Sequence, residues 1–481
     1  MLLKELVDGL KQVDIKGNLD IEINSIAYDS RKVRNGSMFV CVEGFKVDGH
    51  KFIPAALENG AKALIVQKEI EAPEGVSVVR AEDTRYALAH VAGTFFGHPS
   101  RKFNLIGVTG TKGKTTTTYM VKSILETANQ KVGLIGTVVN CIGAEALPAE
   151  RTTPESYDLQ ALFSEMVEKS VDSVVMEVSS HALQLHRVSC SDYDIGVFTN
   201  LSRDHLDFHG TFENYFNAKL KLFGMCRKAL VNIDSQYGER VKNAVECEAY
   251  TYGIDKAADI RALNVVKNPG SVEFDLVSPW EEGHIRVNIP GKFSVYNSLA
   301  AIGCSLLSGI SIGDIKAGLE RVSVPGRAEV VNTGRDFTVI IDYAHSPDSL
   351  ENILSTVKGY APGRLICLFG CGGDRDRTKR PIMGEISGRI SDFSIITSDN
   401  PRTEEPGIIV KEIEDGIKRT NGAYIAIVDR REAIKYALEN ARPKDIIVLA
   451  GKGHETYQIF KDKTVHFDER EVVKEVLNEI K

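Results

Sequence analysis

Hydrophobic positions along this chain fall into short unbroken runs, separated by stretches in which apolar residues return every three or four positions. The run at residues 104–109, Asn-Leu-Ile-Gly-Val-Thr, is too short for a core helix and lacks the alternation of a half-exposed strand, so it predicts a strand buried on both faces. A glycine-rich turn follows, and helical spacing then holds over residues 115–128. Further runs at residues 173–178, 195–199 and 229–233 alternate with helical stretches, the pattern of a parallel sheet covered by helices on both faces. Upstream, residues 1–100 predict a small α/β domain. It has a helix in Met-Leu-Leu-Lys-Glu-Leu-Val-Asp-Gly-Leu-Lys-Gln-Val, strands near 21–27 and 37–42, a helix near 52–59 and a strand at 63–66. The alternation restarts after Val324-Pro325-Gly326-Arg327, with strands expected at 339–343, 365–369, 394–397, 425–428 and 446–450, which predicts a Rossmann-like third domain. The expected division is 1–100, 101–327 and 328–481, in an α/β protein without internal repeats.

Composition narrows the class of protein. A length of 481 residues fits roughly three domains. Hydrophobic residues at 43% and charged residues at 26% are those of an ordinary globular chain, which excludes disorder. Lys and Arg number 59 against 66 Asp and Glu, a net charge of -7 without a basic run, so neither nucleic acid nor an anionic membrane is an expected partner. No apolar run approaches the ~18 residues of a membrane span. The first residues lack the apolar core of a secretion signal, so the cytoplasm is the expected location. The eight cysteines form no close Cys-x-x-Cys pair and read as reduced, structural thiols.

The strongest chemical signal is Gly107-Val108-Thr109-Gly110-Thr111-Lys112-Gly113-Lys114-Thr115-Thr116, between a predicted strand and a predicted helix. Glycines let backbone N–H groups converge on phosphate oxygens, and a helix N-terminus adds partial positive charge. Lys114 then reaches the β and γ phosphates, and the Thr115 hydroxyl can ligate Mg²⁺. A purely structural turn is the minority reading of such a string. Val108 stands where the common form of the motif has its first glycine, which points away from motor and transporter NTPases. Glu177 ends an apolar run, and a carboxylate at a strand's carboxyl end beside a phosphate loop is suited to a hard cation.

Together with Glu177-Val178-Ser179-Ser180-His181, Asn200-Leu201-Ser202-Arg203-Asp204-His205-Leu206-Asp207 and Asp342-Tyr343-Ala344-His345-Ser346-Pro347, the loop resembles the Mur ligases; folylpolyglutamate synthases share the general scheme. The resemblance implies a UDP-sugar-binding first domain, a central ATPase domain and an amino-acid-binding third domain. ATP would be cradled by Gly110, Thr111, Lys112, Gly113, Lys114, Thr115 and Thr116, with further contacts from Asn297, Arg327, Asp342 and His345. Thr115, Glu177, His205 and Lys219 would hold Mg²⁺, Lys219 as a carbamate, and Lys114, Lys219 and His205 would be catalytic.

The first-domain strings Tyr28-Asp29-Ser30-Arg31-Lys32-Val33 and Gly44-Phe45-Lys46-Val47-Asp48-Gly49-His50 are similar to those of the family members that add the third peptide residue in peptidoglycan synthesis. Ser30 would contact the UDP part, and Thr152, Thr153, Ser179 and Arg187 the muramoyl dipeptide. Gln184 stands one place earlier than the family's pattern, with Leu185 before His186-Arg187. Asp399-Asn400-Pro401-Arg402 resembles the signature of members that use meso-diaminopimelate. Arg402 can clamp a distal carboxylate bidentately, whereas lysine offers none. Arg375, Gly451 and Glu455 complete the implied amino-acid contacts. The implied reaction is ATP-dependent addition of meso-diaminopimelate to UDP-N-acetylmuramoyl-L-alanyl-D-glutamate through an acyl phosphate, by a monomer acting on small molecules. The same reaction with L-lysine, another Mur ligase activity and a folylpolyglutamate synthase-like ligase stay open as alternatives, whereas a catalytically silent nucleotide-binding protein is disfavoured by the presence of Lys114, Glu177 and His205. Contacts supplied by several domains imply closure on binding.

Overall fold

A computed structural model describes residues 1–10, 14–45, 47–71, 73–268 and 270–480. The end of the expected first helix and Lys46 of the first-domain string lie outside the described residues. The chain forms two compact units: Met1–Arg261 with Ser278–Trp280 and Leu299–Ile315, and Ala262–Val277 with Glu281–Ser298 and Lys316–Lys481. The architecture is mixed α/β with mostly parallel sheets.

The first unit holds two sheets. The smaller runs Asp14–Lys16, Ser77–Arg80, Ala61–Val66, Ser37–Val40, Ser25–Ala27, parallel except for its first pair. Alternation sorts its side chains. Met38 and Val40 face a core with Leu3, Leu6, Leu88 and Val91, while Phe39 and Cys41 face Ala56 on the other side. The expected first helix is confined to Leu3–Val7, and the strand expected at 21–27 is only Ser25–Ala27. Sequence reasoning missed Ser77–Arg80 and the helix Thr84–Phe95, although Asp83 caps that helix by accepting from the N–H groups of Arg85 and Tyr86 at 2.8 and 3.1 Å.

This layer docks on the helix Ser156–Glu168. The Tyr28 hydroxyl donates to Asp158, and Tyr157 packs against Tyr28 and Phe96 with ring centroids 6.5 and 5.5 Å apart.

The larger sheet of this unit runs Glu248–Gly253, Cys226–Asn232, Tyr193–Phe198, Asn104–Thr109, Ser173–Glu177, Val132–Ile135 in parallel, then turns antiparallel through Asn140–Ile142 and Glu145–Leu147. Chain order reverses across Asn104–Thr109, whose neighbours are Ser173–Glu177 and Tyr193–Phe198. The crevice of a doubly wound sheet therefore opens at the carboxyl end of that strand.

In the second unit a sheet runs Glu329–Val331, Thr338–Asp342, Ile446–Ala450, Leu365–Phe369, Phe393–Ile396, Tyr424–Ala426, parallel after the first pair. The strand Ile446–Ala450 is buried throughout because Val448 faces the helices Pro347–Lys358 and Lys379–Ile390, and Ile447 and Leu449 face Arg430–Glu439 and Glu469–Glu479. It returns between Thr338–Asp342 and Leu365–Phe369, which gathers the loops after these strands at one edge.

Candidate active site

The predicted phosphate loop occupies the crevice of the first unit. Gly110 has φ +152°, and a Cβ there would lie 1.9 Å from Thr199 Oγ1, so only glycine fits. Asn200 fixes the turn by accepting from Lys112 N at 3.0 Å and donating to Lys112 O at 2.9 Å, while Thr111 N donates to Asn200 O at 2.9 Å. Gly113, at φ +89°, caps the helix Lys114–Thr127, so Thr115 and Thr116 lie in its first turn. Lys114 Nζ turns back onto Gly110 O and Thr111 O at 2.9 and 3.1 Å.

Thr115 and Glu177 meet as expected: Thr115 Oγ1 lies 3.0 Å from each Glu177 carboxylate oxygen. Glu177, only 1% exposed, also accepts from Thr137 N at 2.8 Å and Thr137 Oγ1 at 3.1 Å. Thr137 Oγ1 is 3.0 Å from Thr152 Oγ1, and Thr153 Oγ1 donates to Glu177 O at 2.8 Å. Ser179 N donates to Thr153 Oγ1 at 3.2 Å, and Arg187 Nη1 reaches Thr153 O at 3.5 Å. Thr152, Thr153, Ser179 and Arg187 thus form one cluster continuous with the phosphate loop. Glu155 holds Arg187 at 3.3 Å, and burial lowers the Arg187 pKa. Ser30 lies in the first layer, buried in a short 3-10 turn, with its carbonyl accepting from Asn59 at 3.0 Å. Gln184 accepts from Lys221 Nζ at 2.9 Å.

Lys219 lies on the helix Phe212–Leu220 and is 2% exposed. Its Nζ donates to Gly110 O at 2.9 Å and sits 4.6 Å from the Tyr215 ring centroid. Burial, and then the charge of Lys114, drive its pKa well below the usual lysine value, which favours a neutral, nucleophilic amine. His205, at φ +52°, starts the short helix Leu206–His209 and packs its ring 4.8 Å from His181 and 6.2 Å from Tyr215. Burial, with the charge of Lys114, lowers its pKa against the pull of Asp204, which favours the neutral imidazole that binds metals.

In the second unit, Asn297 is half-buried on the helix Lys292–Leu307. Asp342 Oδ2 accepts from Ala328 N at 2.7 Å, the Arg327 guanidinium lies 4.8 Å from the Tyr343 ring, and His345 Nδ1 bonds Tyr343 O at 2.8 Å. A second group gathers where three strands end. Arg402, at φ +52°, donates from Nη1 to Gly373 O at 2.8 Å, and a Cβ on Gly372 would lie 2.9 Å from Arg402 Nη1 and 3.8 Å from Arg375 Cγ. Asn400 Nδ2 donates to Glu455 Oε2 at 2.7 Å. Pro401 follows against Gly373, and a Cβ on Gly451, at φ +115°, would stand 3.1 Å from Asp399 Oδ2. All seven residues expected to hold the amino acid therefore lie on loops that meet at the ends of these strands, with Arg402 held on Gly373 O and Glu455 on Asn400. Burial and the charge of Asp399 raise the Glu455 pKa, and Lys452 opposes them.

Sequence reasoning missed the residues that brace these groups. Arg430, fully buried against Glu469, donates to Ser398 O and Ala450 O at 3.2 and 2.9 Å and so ties two loops together. Arg380, also fully buried, is held by Glu404 and Glu412 at 2.8 and 2.7 Å. Lys452 was legible only as a cation two places after a wholly apolar strand.

Family profiles described as "Mur ligase family, catalytic domain", "Mur ligase middle domain" and "Mur ligase, glutamate ligase domain" match residues 22–96, 108–305 and 326–453. The chain is 50% identical, over the full length of both, to the UDP-N-acetylmuramoyl-L-alanyl-D-glutamate--2,6-diaminopimelate ligase of Clostridium botulinum. A solved UDP-N-acetylmuramoyl-L-alanyl-D-glutamate--2,6-diaminopimelate ligase superposes with a TM-score of 0.75 at 30% identity, covering 100% of this chain and 99% of that one. The MurF ligase of Thermotoga maritima, solved in complex with ADP, shares the fold with a TM-score of 0.64 at 19% identity over 95% and 97% of the two chains.

Proposed function

The chain belongs to the Mur ligase family, and from that premise we propose that it joins meso-diaminopimelate to UDP-N-acetylmuramoyl-L-alanyl-D-glutamate in peptidoglycan synthesis, converting ATP to ADP and phosphate. The observation that carries this reading is the hydrogen-bonded path from Thr115 through Glu177 and Thr153 to Ser179, with Thr137 joining Glu177 to Thr152 beside it. It links a phosphate cradle to a cluster of hydroxyls and a guanidinium suited to a carboxylate-bearing acceptor, which is what activation of that carboxylate by ATP requires.

Mg²⁺ suits the donors present. Thr115 and Glu177 offer hard oxygens, His205 a neutral nitrogen, and the neutral amine of Lys219 can add carbon dioxide, lose a proton and become an anionic carbamate ligand. A bound Mg²⁺ would offset charge on the phosphates. The loop N–H groups and Lys114 hold the phosphates, and Arg187 with Thr152, Thr153 and Ser179 orients the dipeptide. A free carboxylate of its D-glutamate attacks the γ-phosphorus, the bond to ADP breaks, and an acyl phosphate forms. The amine of diaminopimelate then attacks the acyl carbon, phosphate leaves, and the amine gives up a proton. Arg402 and Arg375 suit the distal carboxylate of the incoming amino acid, and Glu455 its distal ammonium.

The test is phosphate release from ATP with Mg²⁺ and UDP-N-acetylmuramoyl-L-alanyl-D-glutamate, comparing meso-diaminopimelate with L-lysine. Turnover with diaminopimelate alone supports the reading. A preference for lysine reassigns the amino acid, and inactivity with both overturns the reaction.

A further inference from the structure

We propose that Lys452 is the positioning residue that sets the charge and aim of the amino-acid pocket, and so its selectivity for an incoming amino acid carrying a distal ammonium beside a carboxylate. The inference rests on the reading of that pocket given above. Lys452 follows the strand Ile446–Ala450 and is 0% exposed. Its Nζ lies 3.3 Å from Glu455 Oε2, 3.3 Å from Asn400 Oδ1 and 3.7 Å from Asp399 Oδ1. A buried ammonium is retained only where counter-charges surround it, and this one stands between two carboxylates. One cation between two anions leaves the cluster one negative charge in excess, which matches a ligand ammonium.

The hydrogen bonds also fix direction. Asn400 Oδ1 accepts from Ile459 N at 3.0 Å and from Lys452, so its Nδ2 must point at Glu455 Oε2, 2.7 Å away. Oε2 is thereby engaged by Lys452 and Asn400, which leaves Oε1 for a ligand. Asp399 Oδ1 is buried without a hydrogen-bond partner, so Lys452 is its compensating charge. Among the described residues, Tyr343 and Tyr457 face both carboxylates and His345 and Cys371 face Asp399, with Arg327, Arg402 and Lys379 among the cations acting on these groups. Without Lys452 the repulsion between the two carboxylates favours a proton between them as pH falls; the net charge is kept, but the proton takes over the carboxylate and the aim that Lys452 leaves to the ligand ammonium.

The experiment uses the full chain and Lys452→Gln, which keeps length and a donor but not the charge, measuring phosphate release against diaminopimelate concentration at pH 7 and pH 9. The expected result is a KM for diaminopimelate raised at least tenfold at pH 7 and only a few-fold at pH 9, with kcat and the KM for ATP within about threefold of the unmodified enzyme. A KM increase of equal size at both pH values, or a fall in kcat at unchanged KM, overturns the inference. Lys452→Met is the second variant, with the same expected profile. If neither variant folds, the unmodified enzyme decides: its KM for diaminopimelate should be flat from about pH 7 to 8.5, and a tenfold fall across that range overturns the inference. Absence of diaminopimelate-dependent turnover in the unmodified enzyme counts against the proposed function instead.

Discussion

The phosphate loop of the first unit and the amino-acid pocket of the second both occupy the carboxyl ends of parallel strands, yet they are built from different material. At residues 110–115 the specificity lies in the main chain: a glycine with no room for a Cβ, a turn clasped by Asn200, and a helix N-terminus. In the pocket it lies in side chains contributed by three loops, with Lys452 compensating Asp399 and Glu455 in a buried setting and Arg402 held on Gly373 O. Phosphates are recognised alike by many proteins through backbone geometry, whereas an amino acid with two charged ends must be told from its relatives by charges at defined points.

Lys114→Met should break the first site most completely, lowering kcat by about 10³-fold, because one charge there faces the transferring phosphoryl group. Phosphate release measures this, and an unchanged melting temperature would show that the fold is intact. Lys219→Arg should lose about 10²-fold, since a guanidinium cannot form the carbamate. In the unmodified enzyme, ¹³C-labelled carbon dioxide should give a carbamate NMR signal that this variant lacks.

On the other side of the comparison, Arg402→Ala should raise the KM for diaminopimelate by about 10- to 100-fold while leaving the KM for ATP unchanged, and a matching rise for ATP would contradict the division of labour between the sites. The smallest effect expected is on stability in acid. Arg380 holds the Glu404 carboxyl down at about 2, below its ordinary 4.5. The unfolded chain therefore binds a proton there before the folded one does, and this contribution is fully present above about pH 4.5 and lost as pH falls towards 2. Glu404→Gln should flatten the pH dependence of the melting temperature over that window, and an unchanged slope would show that the pair does not brace the pocket.

Much of the first site was legible because its determinants are consecutive. Gly110 to Thr116 sit in one string, and the apolar runs bounding it are strands because burial on both faces requires unbroken hydrophobicity. The strands 104–109, 365–369 and 446–450 were found to the residue. Thr84–Phe95 was missed although Asp83 announces it, because its alanine-rich face gives a weak helical period.

By itself, the sequence determined the class of fold, the phosphate loop, and through its motifs the family and the residues expected to hold each substrate. Only the tertiary structure decided that Lys219 is buried against Gly110 with a depressed pKa, that Glu177 and the acceptor cluster share one hydrogen-bonded path, and that Lys452 stands between two carboxylates. The reason is physical. A backbone conformation is written in local residue choice, but the charge state and aim of a buried side chain depend on groups that folding brings together from distant parts of the chain.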